Sequence, residues 1–176
     1  MVPSTRTTLR LPDDLVKILK EEANGKGISL NAIIARILRK NIQYDMRLNA
    51  LPSITLSHAL FSILLEKLNR EDKEEWAIRG LKTIKNLFTA LDLEYNIENV
   101  IEEYLSILGK YCGWYTFNYD VDDTHYHLIF KTELGHTWIE FLQFYVKTIL
   151  QSLKINIDNE SIADSVLIVE FNTRQK

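Results

Sequence analysis

Residues 5–12 read Thr-Arg-Thr-Thr-Leu-Arg-Leu-Pro, and this alternation is the feature that most narrows what the chain can fold into. Extended backbone repeats every two residues, so Arg6, Thr8 and Arg10 fall on one face and Thr7, Leu9 and Leu11 on the other. A strand this short is not stable alone and needs a partner. The residues that follow read as helix, so no complementary strand lies nearby in sequence. The simplest partner is the same strand of a second chain, antiparallel across a two-fold axis. The expected ribbon displays two copies of Arg6, Thr8 and Arg10, and a two-stranded ribbon fits the major groove of B-DNA.

Two helices are expected next. Pro12 can open a helix without needing its N–H, and Asp13 and Asp14 suit the positive end of the dipole. Leu15, Ile18, Leu19 and Ala23 keep to one helical face. Asn24-Gly25-Lys26-Gly27 then stops the helix. Ser29 caps a second helix, expected to run to about Asp45, with Leu30, Ile33, Ile34, Ile37, Leu38 and Ile42 as one apolar stripe.

This strand–helix–turn–helix order, carried by TLRLPDDLVKIL and GISLNAIIARIL, resembles the ribbon–helix–helix family of DNA-binding proteins of the Arc, MetJ and CopG type. The match covers roughly the first quarter of the chain. The resemblance implies an intertwined dimer in which Arg6, Thr8 and Arg10 read bases, while Ser29, Leu30 and Asn31 hold a phosphate. The physics suits those roles: arginine offers guanine two parallel donors, and the first N–H groups of a helix lack partners and favour anions.

Charge is distributed unevenly. The 176 residues carry a formal charge of −3, yet residues 1–48 hold nine Lys or Arg against five acids, giving +4. The remaining 12 bases and 19 acids give −7. A basic head on an acidic body fits a DNA-binding module joined to a different kind of domain. No apolar run is long enough to span a bilayer, and no leader pattern opens the chain. The single Cys112 rules out an intrachain disulfide framework. A cytoplasmic protein without membrane contact is expected.

Two domains follow from this reading: residues 1–48 as DNA-binding and dimerisation module, and 52–176 as an α+β domain for dimerisation or effector sensing. Asn49-Ala50-Leu51-Pro52 marks the connection, since Pro52 cannot continue a helix. Ser53-Ile54-Thr55-Leu56 suggests a brief strand. Helices are expected over 59–68, 71–91 and 97–112, the last ended by Gly113. Trp114–Tyr119 and Thr124–Lys131 then read as a hairpin around the acidic turn 120–123. Gly135 opens a long helix with Trp138, Phe141, Leu142, Tyr145, Val146, Ile149 and Leu150 inward, and Val166–Phe171 closes the sheet. Helices followed by β-β-α-β describe an α+β domain with an antiparallel sheet. The stretch HLIFKTELGHTWIEFLQFYVKTIL is similar to a compact module behind ribbon–helix–helix heads in archaeal regulators. It distantly resembles ligand-binding regions of nitric-oxide-binding and vinyl-reductase-type sensors, and no ligand is carried over from either.

The chemistry-bearing residues favour structural roles. His125 and His127 share a strand face and His136 opens a helix, a set that could bind Zn, Ni or Cu. Without a spaced Cys companion, ordinary hydrogen bonding is favoured, and no metal or cofactor is expected. Trp114, Tyr115, Phe117, Tyr119, Tyr126 and Phe130 could line an effector pocket, but a sheet packed on helices needs them as core. Cys112 lacks a neighbouring base that would activate it. No catalytic constellation stands out, so no enzyme is expected. The sequence thus points to a homodimeric, sequence-specific transcriptional regulator whose partners are double-stranded DNA and a second copy. The alternatives are an antitoxin and a plasmid-maintenance or architectural DNA-binding protein.

Overall fold

The computed structural model describes residue 5 and residues 7–48 and 55–174. The chain divides into two units, Met1–Met46 and Arg47–Lys176, and each is taken by itself.

In the first unit, α1 (Asp13–Gly25) starts behind Pro12, whose carbonyl accepts the Val16 N–H at 3.0 Å. The helix stops because Gly27 takes a left-handed φ of 64°. That turn sends the Ile28 N–H back to the Ala23 carbonyl at 3.0 Å. Ser29 caps α2 (Leu30–Lys40), its Oγ accepting the Ala32 N–H at 3.2 Å. The helix continues through a π-helical stretch, Asn41–Asp45, into the short α3 (Met46–Leu48). Leu19, Ala23 and Ile33 are buried between the helices, with Leu11, Leu30 and Ile34 packed around them.

The ribbon–helix–helix expectation is corrected here. Thr5 and Thr7–Leu11 form no strand, and every strand among the described residues belongs to the second unit. Alternation marks a segment as compatible with a strand, but a ladder requires hydrogen-bonding partners. The architecture is a helix-rich α+β chain with one four-stranded antiparallel sheet. Arg6, Ser53, Ile54 and the whole 49–52 connection lie outside the described residues, and Thr55 and Leu56 are not strand.

The second unit is built around α7 (His136–Ser152). Eight of its residues are buried: the seven expected from sequence and Ile139. It packs against α5 (Arg70–Ala90) on one side and against the sheet on the other. Ser57 caps α4 (His58–Leu65), and α5 carries a reciprocal capping box between Asn69 and Asp72. At the α5–α7 crossing, a Cβ on Gly80 would sit 2.5 Å from the Tyr145 ring, so only glycine permits this approach. Three-residue α6 (Ile97–Asn99) leads into π-helical stretches, Val100–Leu105 and Leu108–Cys112, and Gly113 ends the run at φ 68°.

The sheet consists of β1 (Thr116–Asp122), β2 (His125–Lys131), β3 (Ile157–Ala163) and β4 (Val166–Asn172) in the order β1-β2-β4-β3. The expected β-β-α-β is therefore β-β-α-β-β. The acidic stretch expected to be a turn is largely strand: Asp120 pairs with His127 and Asp122 with His125, leaving Asp123 and Thr124 to turn the chain. The inner face carries Tyr126, Leu128 and Phe130 on β2 and Leu167, Val169 and Phe171 on β4, all buried. No helix among the described residues is long and apolar enough to cross a membrane.

Polar groups inside this core are paired. The Tyr104 and Tyr145 hydroxyls lie 2.6 Å apart, Tyr115 Oη donates to the Leu105 carbonyl, and the Trp138 indole N–H donates to the Trp114 carbonyl at 2.9 Å. Burial pushes Tyr104 up to about 12, and it raises Tyr115 and Tyr145 well above the ordinary tyrosine value. These raised values link stability to alkaline pH: it is complete below the unfolded value near 10 and is lost as pH rises from there toward about 12. In an ultraviolet phenolate titration, these three tyrosines are expected to ionise only together with loss of the near-ultraviolet dichroism. Ionisation of all three near pH 10 in a still-folded chain would contradict the burial.

Candidate interaction surface

The first unit leaves much of its apolar stripe uncovered. On α1, Leu19 and Ala23 turn inward, whereas Leu15, one turn before Leu19, and Ile18, beside it, remain exposed. On α2, Ile33 is buried, but Ile37 and Leu38 face out, followed by Ile42 at 64% and Met46 at 59% exposure. Leu9 and Ile28 are exposed as well. The spacing 34, 37, 38 and 42 keeps one helical face apolar past its buried edge. Both helices carry charges: Asp13, Asp14, Glu21 and Glu22 with Lys17 and Lys20 on α1, and Arg36, Arg39 and Lys40 on α2.

Of the residues expected to read DNA, Thr8 and Arg10 are described. Thr8 and Arg10 are exposed on a segment without strand pairing, and Arg6 lies outside the described residues. Ser29 spends its hydroxyl on capping Ala32, Leu30 packs beside the small core, and Asn31 is exposed in the first turn of α2.

The histidines occupy outer surfaces of the second unit. His125 and His127 project from the outer face of β2, where His127 Nε2 lies 3.6 Å from Glu170 Oε1 across the strand pair. His136 Nε2 lies 3.6 Å from Glu140 one turn along α7. His58 meets the Glu133 carbonyl at 3.2 Å. Among the described residues, no group of three or more His, Cys, Asp or Glu is placed to hold a metal ion. The aromatic residues expected on the hairpin share the inner side and differ in depth along it. Tyr115, Tyr126 and Phe130 are core, Phe117 packs at its margin, and Tyr119 is exposed.

Sequence reading missed a polar cleft between α5, α7 and β3. It encloses about 290 Å³ and is lined by Arg70, Lys73, Glu140, Gln143, Phe144, Lys147 and Glu160. Lys73 is nearly buried and donates to Glu140 Oε2 at 2.6 Å. The signal was present in the sequence, because Lys73 falls four residues before buried Ala77, on the inward stripe of α5. Arg70 lies over the Phe144 ring, 5.6 Å from its centre.

No family model matches this chain, and no curated protein does. Among solved structures it is similar to a Cs H-NOX mutant bearing 4-cyano-L-phenylalanine at site 5. The two share 13% identity, with 91% of this chain and 92% of the other covered and a TM-score of 0.45. With no ribbon among the described residues, where the one sheet is β1-β2-β4-β3, the expectation of a sequence-specific DNA-binding regulator is corrected, together with its antitoxin and plasmid-maintenance alternatives.

The cleft's ion pair yields a titration prediction. The hydrogen bond from Lys73 holds the Glu140 carboxyl below its ordinary value. A depressed carboxyl stabilises the fold above the unfolded value, and that contribution is lost as pH falls through the folded one. Carboxyl-detected NMR should place Glu140 below the ordinary glutamate value, and Lys73→Met should return it upward. An unshifted Glu140 in the wild type would refute the pairing.

Proposed function

We propose that this chain is a non-catalytic, self-associating interaction protein in which residues 1–46 pair with a second copy and thereby hold two α+β units together. The observation that carries this reading is the uncovered apolar face of α1 and α2. A unit of this size with three buried apolar side chains among its described residues cannot meet the entropy of ordering its backbone by itself. Eight large apolar side chains among its described residues are exposed, each by roughly half. Together they approach the 800 Å², on the order, that each partner gives to a standard interface.

A second copy is the favoured occupant for two reasons. It supplies an identical apolar stripe, so one surface is matched by the same surface across a two-fold axis. Its α1, with Asp13, Asp14, Glu21 and Glu22 against Lys17 and Lys20, can also set a net acidic helix against the basic Arg36, Arg39 and Lys40 of the other chain. The non-catalytic reading is supported by the placement of His127–Glu170 and His136–Glu140 on outward surfaces.

All three tryptophans, Trp76, Trp114 and Trp138, lie in the second unit and report its fold separately. Sedimentation equilibrium of the full chain should give twice its 20.6 kDa. The double variant Ile18→Glu, Ile42→Glu should sediment as a monomer, lose helical signal and retain native tryptophan fluorescence. A wild-type monomer with its full helical content would overturn the proposal.

A further inference from the structure

The two edges of the sheet are not equivalent. β3 protects itself: its register shifts between Ile157 and Asn159, and Glu160, paired with Val169, is turned to the inner side where a docking strand would need an apolar residue. Bulges and inward charges of this kind are how sheet edges resist added strands. β1 has neither device. All seven of its residues pair with β2 in unbroken register. Its inward-side residues are Phe117, Tyr119 and Val121, of which Tyr119 is 41% and Val121 40% exposed. Its outward side carries Asn118, Asp120 and Asp122, all exposed.

We infer that the β1 edge is a docking site for an extended segment of another polypeptide, one alternating basic and apolar residues. A fifth antiparallel strand would use the backbone groups on the side of β1 that no described strand pairs for affinity, and its two faces for selection. Apolar side chains of the guest would cover Tyr119 and Val121. Lysine or arginine on the guest's other face would meet Asp120 and Asp122, opposite charges on adjacent strands. A second copy of β1 fits poorly, because two-fold pairing sets four aspartates on one face of one ladder, where like charges destabilise. The ladder thus excludes its own copy and admits a basic strand. This inference is independent of the self-association proposed for residues 1–46.

The test uses the full wild-type chain and a fluorescein-labelled seven-residue peptide alternating lysine with valine, read by anisotropy. Saturable binding is expected. The same peptide N-methylated at alternate amides, on the edge that would face β1, should bind roughly tenfold or more weakly, since backbone hydrogen bonds are removed while charge is kept. The Asp120→Lys, Asp122→Lys variant should lose the lysine–valine peptide and acquire a glutamate–valine one. Equal binding of the methylated and unmethylated peptides would overturn strand addition without depending on how the variant folds. Absence of binding, or a variant with unchanged preference, would overturn it equally.

Discussion

A helix that is apolar around most of its circumference must be covered on more than one side, and α7 imposes that requirement on the second unit. Its faces turn Trp138, Phe141, Tyr145 and Ile149 inward alongside Ile139, Leu142, Val146 and Leu150. One layer of structure cannot cover such a helix. The sheet presents Leu128, Phe130, Leu167 and Val169 on one side, while α5 approaches on the other through Gly80. The close approach leaves the Tyr145 hydroxyl deep in the core, where the Tyr104 hydroxyl satisfies it at 2.6 Å. Packing and hydrogen bonding are therefore one constraint: removing either tyrosine's partner would strand a buried hydroxyl.

The same requirement goes unmet in the first unit. Leu19, Ala23 and Ile33 close one side of the helical pair, and Ile18, Ile37 and Ile42 remain open. A chain that covers α7 so thoroughly yet leaves this stripe bare has two different relations to its surroundings. The second unit holds a large hydrophobic core of its own, and the first, on the function proposed above, is completed by association. The sheet edges show the contrast on a smaller scale, since inward Glu160 closes one edge and the regular ladder of β1 leaves the other open.

What was legible in the sequence follows the strength of local signals. Ser29, Ser57 and Gly113 mark helix ends through local backbone chemistry, and each stands at the end expected. The inward face of α7 was readable because its period of 3.6 runs over five turns of strongly apolar residues. β3 was not readable: Ile157–Ala163 is polar because an edge strand needs little burial, so periodicity carried no message. Asp120–Asp123 looked like a turn by composition, although tertiary pairing extends β1 through Asp122. The alternation in residues 5–11 misled in the opposite direction. It satisfies the side-chain rule for a strand, yet a strand is defined by its backbone partners, and the described segment has none in a ladder. Lys73 escaped notice because its partner Glu140 lies 67 residues away and only the α5–α7 packing joins them.

The claim that the first unit is completed by a second copy is tested most directly by amide hydrogen exchange on the full chain, followed by mass spectrometry across a wide range of protein concentration. Protection of residues 13–46 should rise with concentration as mass action populates the associated form, while protection of residues 58–174 should not change. Equal protection of the first unit at every concentration would contradict the account, because those helices would then be stable within a single chain.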